Sequence, residues 1–284
     1  MTALRRLGLT VRDLEASLAF YRGAFGCEVT AEDQDFFGSP ARRVRLRLGA
    51  QELELAAFDP PGAPWPPDAA SNDITFQHFA IAVASMREAY AHLEQIPGWT
   101  PISTAGPVAL PASAGGVTAF KFRDPEGHPL ELLQFPDRKN SANGALFQEI
   151  NHSAIVVSDD ARSIAFYTQG LGLTESGGSL NQGETQARLD GLDAPVVRVT
   201  ALDTVARAAP HLELLCYREP PGNMLVSPDK KPNDVISTRL IFVVDDPLAS
   251  AWRLVKLGAE LNGSDAHAAF LRDPDGHDLV LTKG

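Results

Sequence analysis

Short apolar runs recur along this chain, each followed by an acidic residue and then by apolar positions at helical spacing. One run is Arg5-Arg6-Leu7-Gly8-Leu9-Thr10-Val11, and another is Asn151-His152-Ser153-Ala154-Ile155-Val156-Val157. Each leads into a helix-like stretch containing Ala-Phe-Tyr, at 19–21 and 165–167, and each closes on a glycine, Gly26 or Gly172. Leu14, Leu18 and Tyr21 fall on one helix face, and Ile164 and Tyr167 take similar positions. Asp13 and Asp160 are the expected N-caps, because a carboxylate there accepts from free N–H groups of the first turn.

The anchors of these two stretches share one constant offset, so they form an internal repeat. A second pair repeats likewise: the run 75–83 matches 237–244, each preceding a helix, 85–93 and 247–257. Further on, Phe122-Arg123-Asp124-Pro125-Glu126-Gly127-His128 matches Leu271-Arg272-Asp273-Pro274-Asp275-Gly276-His277. Asp-Pro-x-Gly reads as a turn, with proline presetting φ and glycine supplying φ > 0. A terminal strand follows each turn, at 129–135 and 278–282. The spacing predicts four modules, at about 3–58, 74–136, 148–218 and 235–284, each reading strand, helix, then several strands. Between them lie a proline-rich stretch (59–67), a polar one (136–144) and one with Pro, Gly, Asn and Lys (219–233). This pattern predicts an α+β fold of tandem βαβββ modules with helices packed outside curved mixed sheets. Two domains are expected, 1–136 and 148–284.

Composition narrows the function. Hydrophobic residues make up 44% of the 284 positions and charged residues 21%, a globular balance able to build a large core. Net charge is −11 and no basic stripe is present, which argues against a nucleic-acid partner. No apolar run approaches the roughly 18 residues that span a bilayer, so no membrane partner is expected. The N-terminus lacks a signal-peptide pattern, which makes the cytoplasm the expected location. Two cysteines, Cys27 and Cys216, without CxxC spacing support neither a disulfide framework nor a zinc cluster, and Cys216 reads as a core residue.

The first strand with its position for histidine, the Phe-Tyr helix, the Asp-Pro-x-Gly turn and a last strand of Leu-Glu-Leu type together resemble the vicinal oxygen chelate superfamily. That superfamily includes glyoxalase I, methylmalonyl-CoA epimerase, fosfomycin-resistance proteins, bleomycin-binding proteins and extradiol dioxygenases. The resemblance covers nearly the whole chain and implies two cup-shaped half-barrels, each made by two modules. It also implies metal ligands at two positions per module, one on the first strand and one on the last. Module 1 offers Arg6 and Glu54, module 2 His78 and Glu131, module 3 His152 and Glu213, and module 4 Arg239 and Val280. If modules 2 and 3 share a cup, the metal ligands are His78, Glu131, His152 and Glu213. If modules pair in chain order, one cup holds Glu54, His78 and Glu131 beside Arg6, and the other only His152 and Glu213.

Imidazole and carboxylate donors suit Zn, Mn, Fe, Ni or Co as a divalent ion. Such an ion can take a substrate with two neighbouring oxygens, and a carboxylate that loosens can move a proton. Glu213 and Glu131 are the catalytic candidates. Strand alternation supports them, because each opposes flanking leucines that pack on helices. His211 shares the face of Glu213 and is expected to support it. The expected function is a metal-dependent isomerase, epimerase or lyase acting on a small vicinal-oxygen substrate. The alternatives are an extradiol-type dioxygenase and a metal-free small-molecule binding or resistance protein. A homodimer is left open. Glu54 is expected to be a partly solvated cup residue or to form a salt bridge to Arg6 or another arginine, and Arg6 and Arg239 either bind an anion or pair structurally. His128 and His277, in turns, are expected to be exposed, and His92 and His267 carry no motif. Substrate choice is assigned to loops at 103–116 and 177–183.

Overall fold

The computed structural model describes residues 2–36, 39–136, 144–204, 210–222, 226, 227 and 229–284. Most of the polar connection expected at 136–144, and part of that at 219–233, lies outside the described residues. Module 1 comprises β1 (Ala3–Val11), α1 (Leu14–Phe25), β2 (Glu28–Phe36), β3 (Ser39–Leu48) and β4 (Gln51–Phe58). Module 2 comprises β5 (Gln77–Val83), α2 (Met86–Leu93), the short β6 (Thr100–Pro101) and β7 (Val108–Ala109), β8 (Thr118–Arg123) and β9 (Pro129–Gln134). Module 3 comprises β10 (Phe147–Val156), α3 (Asp160–Leu171), β11 (Thr174–Gln182), α4 (Glu184–Asp190), β12 (Val196–Asp203) and β13 (His211–Glu219). Module 4 comprises β14 (Arg239–Val244), α5 (Pro247–Lys256), β15 (Glu260–Ser264), β16 (Ala268–Arg272) and β17 (Asp278–Lys283).

Asp13 caps α1 as expected, its side chain accepting from Ala16 N. In α3 the cap is Asp159, which accepts from Arg162 N, so Asp160 is the first helical residue rather than the cap. Adjacent aspartates make the two positions hard to separate by composition, and the one with extended backbone takes the role. The stretch expected as a loop at 177–183 is mostly strand: β11 pairs with β12 through Gln182, at the edge of a sheet.

The sheets do not follow chain order. One runs β2-β3-β4-β1-β14-β17-β16-β15 and joins modules 1 and 4. The other runs β6-β8-β9-β5-β10-β13-β12-β11 and joins modules 2 and 3. Each first strand runs parallel to the last strand of its own module and antiparallel to the first strand of its partner module. The convex faces of both sheets and the helices share one apolar core that contains Leu7, Leu9, Tyr21, Phe79, Phe122, Phe166, Tyr167, Leu214 and Phe242. Tyr21 of α1 stacks on Phe79 of β5 at 6.4 Å between ring centroids, which binds module 1 to the sheet it does not belong to.

The two Asp-Pro-x-Gly-His turns lock this arrangement. His128 and His277, expected to be exposed, are buried. Asp124 accepts from the Tyr21 hydroxyl at 2.8 Å and faces His128 Nδ1 at 2.9 Å. His128 Nε2 reaches the Thr10 carbonyl at 3.1 Å. The fourth module copies this toward the third: the Tyr167 hydroxyl donates to Asp273 at 2.8 Å, and His277 Nε2 meets the Val156 carbonyl at 2.8 Å. Each histidine thus satisfies a strand carbonyl of the other sheet, a partner invisible in the turn's local sequence. The proline-rich connection also packs, with Trp65 buried against His128.

Removing the carboxylate from such a buried network strands both a phenol and an imidazole, each costing about 1–3 kcal/mol. Asp124→Ala is therefore expected to lower unfolding free energy by about 3 kcal/mol, and Tyr21→Phe by about 1 kcal/mol. Urea denaturation of both variants checks this, and equal losses would contradict the network.

Candidate functional site

The site grows from the seam between β5 and β10. In this antiparallel register His78 stands opposite Ala154, and His152 stands opposite Ala80. The parallel neighbours extend the rows: Glu131 lies beside Ala80, Glu213 beside Ala154, and His211 beside His152. Side chains alternate along each strand, so these residues all project to the concave face. Their neighbours Phe79, Ile81, Leu130, Leu132, Leu212 and Leu214 enter the core behind. The two alanines leave open the space into which imidazoles and carboxylates lean together.

His78 Nε2 is 3.3 Å from Glu131 Oε2. His152 Nε2 is 3.5 Å from the same oxygen and 3.7 Å from Glu213 Oε2. His211 Nε2 is 3.3 Å from the other oxygen of Glu213, Oε1. Donors held about 2.0–2.2 Å from one ion are themselves roughly 3–3.6 Å apart, so these gaps need little closure. Two trios, His78-Glu131-His152 and His152-His211-Glu213, each have ligand atoms within 4.8 Å of one another. His78 Nδ1 and His152 Nε2 are buried without a hydrogen-bond partner. A buried ring nitrogen without a partner is costly, and the one on His152 points between two carboxylates, where a cation would satisfy it. The donor set therefore fits a divalent ion.

Charge in the cup is strongly coupled. Burial opposes ionisation of Glu131, but the imidazoles of His152 and His78 and the ammonium of Lys121 outweigh it and hold the carboxyl well below the usual carboxylate range. Burial likewise opposes ionisation of Glu213, and His152 with His211 overcomes it, pulling the carboxyl down to about 2. Burial lowers the pKa of His78. For His152 burial also acts downward, but Glu213 and Glu131 raise its pKa on balance.

A cavity of about 570 Å³ opens over these groups. Its walls include Ala112–Ala114 and the β11 edge at Gly178, Ser179 and Asn181, within the two stretches assigned to substrate choice. The cavity also holds groups that the sequence reading missed. Lys121 lies directly across from Glu131 in the β8–β9 register. Its Nζ donates to Asp190 Oδ1 at 2.7 Å. Asp190 is carried by α4, an insertion between β11 and β12 bracketed by Gly183 and Gly191. Those two glycines around a seven-residue stretch were the available signal.

The other cup differs in kind. Arg239 occupies the place of His78 and lies across Gly8, where a β-carbon would come within 2.8 Å of its Nε. Its Nη1 donates to Thr10 Oγ1 and to the Ser237 carbonyl. Arg6 is 3.5 Å from Glu52, and Glu54 is 3.6 Å from Arg43. Ile241 stands where Ala80 stands in the first cup, and Val280 replaces a carboxylate. Arg6 and Glu54 have partners within this cup, as the structural-pairing alternative requires. His92 and His267 lie away from both cups, and Cys216 is a buried core residue. Among the described residues, no helix is long and apolar enough to cross a membrane.

Known proteins share this fold. Glyoxalase I from Zea mays is similar over 100% of this chain and 92% of its own, at 19% identity and a TM-score of 0.69. A point mutant of the same maize enzyme covers 99% and 94% at 18% identity and a TM-score of 0.67. A candidate dioxygenase from Bacillus subtilis covers 99% and 84% at 10% identity and a TM-score of 0.61. At these identities the likeness is one of fold. No curated protein sequence gives a match. The profile of the Glyoxalase/Bleomycin resistance protein/Dioxygenase superfamily matches residues 3–132, and that of a Glyoxalase-like domain matches 153–282. With both halves of the sequence matched and the paired-module sheets in place, the chain belongs to the Glyoxalase/Bleomycin resistance protein/Dioxygenase superfamily.

Proposed function

We propose that the cup of modules 2 and 3 is a metal-dependent enzyme site of the glyoxalase-like type, an isomerase, epimerase or lyase for a small substrate with two neighbouring oxygens. The observation that carries this reading is the convergence of His78, Glu131, His152 and Glu213 at the wall of a 570 Å³ cavity, with His152 Nε2 buried 3.5 and 3.7 Å from one oxygen of each glutamate. His78, Glu131, His152 and Glu213 would hold the ion, with Zn, Mn, Fe, Ni and Co all compatible with two imidazoles and two carboxylates. A bound divalent ion supplies Lewis-acid polarisation of two adjacent substrate oxygens.

The two carboxylates divide the remaining work. Glu131 is 7% exposed and wedged between two imidazoles, which suits holding. Glu213 is 21% exposed and has His211 on its second oxygen, so it can swing toward a substrate carbon while staying ionised. Glu213 is therefore assigned as the base that takes and returns the proton. A second reading draws on the buried trio His78, Glu131 and His152, which is also the two-histidine, one-carboxylate set of iron oxygenases. Oxygen uptake by the iron-loaded protein with a catechol separates the two.

Untagged protein is expected to bind about one divalent ion per chain. His78→Ala and His152→Ala should each weaken binding by more than the roughly 10–100-fold that an outer partner such as His211 is worth. At saturating metal, Glu213→Gln should keep a turnover loss of about 10²–10⁴-fold, whereas Glu131→Gln should be partly restored. Metal analysis and turnover measure this. A protein that takes up no ion yet binds a small ligand would give the reading over to the metal-free binding alternative.

The pKa directions also set a pH profile. Both glutamates ionise below the unfolded value of about 4.3, so their contribution to folding is complete above that pH. It is lost as the pH falls toward about 2, the folded value of Glu213. His78 and His152 shift in opposite directions, so their contributions oppose each other. The metal-free protein is therefore expected to lose stability below pH about 4.3, with Glu213→Gln flattening that limb. The extra stability given by metal should also be lost as the pH falls, and earlier than the glutamate contribution, because protons compete with the ion for the imidazoles. Thermal melts across pH with and without metal read both limbs, and an unchanged acid limb in the variant would contradict the assignment.

A further inference from the structure

Lys121 is a buried cation facing the cavity, and supporting the charge of Glu131 beside it leaves its remaining N–H donors without a role. Its Nζ lies 2.7 Å from Asp190 Oδ1, an ion pair buried on both sides. An ammonium has three N–H donors, and Asp190 takes one. Among the described residues no acceptor takes the other two, although the ring of Phe76 lies 5.9 Å below. Asp190 itself is saturated. Its Oδ2 accepts from Gln186 at 2.7 Å and from the Tyr217 hydroxyl at 2.9 Å, and its carbonyl accepts from Ser71. Its carboxylate charge is therefore shared among Lys121, Gln186 and Tyr217, and Lys121 keeps a net positive field toward the cavity.

The scaffold around this pair is hydrogen-bonded across two modules. Helix α4 crosses from module 3 to module 2, where Thr104 N donates to Arg188 O at 2.9 Å and the Ser103 hydroxyl to Leu189 O at 3.0 Å. An ammonium held this firmly, with donors to spare, takes an oxyanion. The charges allow this: two glutamates balance a divalent ion, and Asp190, shared with Gln186 and Tyr217, offsets Lys121 only in part, so an incoming carboxylate meets a cation.

We propose that Lys121 is a specificity-determining residue that grips a carboxylate on the far end of the substrate, so that the cup takes small 2-hydroxy or 2-oxo acids bearing a second carboxylate. The inference rests on the metal-site reading above. Asp190 positions the ammonium rather than touching the substrate.

The test uses two probes, 2-hydroxybutyrate and malate, which differ only in a far methyl or carboxylate. Both are titrated by calorimetry into the cobalt-loaded full chain, after metal uptake has been measured separately for each variant. Malate is expected to bind wild type about tenfold or more tighter than 2-hydroxybutyrate, since a hydrogen bond to a charged group is worth that much. Lys121→Met should abolish the difference in protein that still takes up about one ion per chain. Asp190→Asn frees the ammonium, so it should preserve or widen the difference. A Lys121 that only anchors α4 predicts the opposite for Asp190→Asn, which keeps the test decisive should Lys121→Met fail to fold. Equal binding of the probes to wild type, or an undiminished preference in Lys121→Met, overturns the inference alone. Absence of metal uptake in wild type overturns the metal-site reading, and the inference falls with it.

Discussion

Strand β5 pairs with β10 in a register that sets His78 over Ala154 and Ala80 over His152. Because side chains alternate, a one-residue slip of β5 would send His78 into the apolar core and Phe79 into the cup, and a slip of β10 would do the same to His152 and Ser153. The register is held from behind by Phe79, Ile81 and Ile155, which have no other place to go, and by the antiparallel ladder itself. The site depends on this seam. Each histidine meets carboxylates only because the small alanine opposite leaves the space, and each carboxylate arrives on a parallel strand in the adjacent row.

The matching seam of β1 and β14 shows what the same scaffold does with other residues. Arg239 fills the space over Gly8, Arg6 pairs with Glu52, and Ile241 fills the position of Ala80. One backbone therefore yields a polar cup of converging donors and a second cup of arginines paired with carboxylates. The Tyr-Asp-His networks tie the two sheets together, with the fourth module serving the third as the second serves the first.

Much of this was legible in the sequence because repetition amplifies weak signals. The module pattern and the α+β architecture followed from motifs at matched positions, and the family resemblance implied His78, Glu131, His152 and Glu213 as one set only if modules 2 and 3 share a cup. Which modules share a sheet was not legible, because that depends on long-range pairing of β5 with β10 rather than on any local pattern. The same cause hid the turn histidines, whose partners at Thr10 and Val156 lie more than a hundred residues away. Lys121 escaped notice because a lysine on a strand reads as a solvated residue until α4, an insertion outside the repeat, delivers Asp190 to it.

The central claim is that two halves of the chain complete one metal centre at the β5–β10 seam. Anomalous diffraction from crystals of the cobalt- or zinc-loaded protein tests it most directly. The account predicts a single strong peak about 2.0–2.2 Å from His78, Glu131, His152 and Glu213. A peak in the cup of Arg239 and Glu54, or none within reach of both His78 and His152, would contradict it.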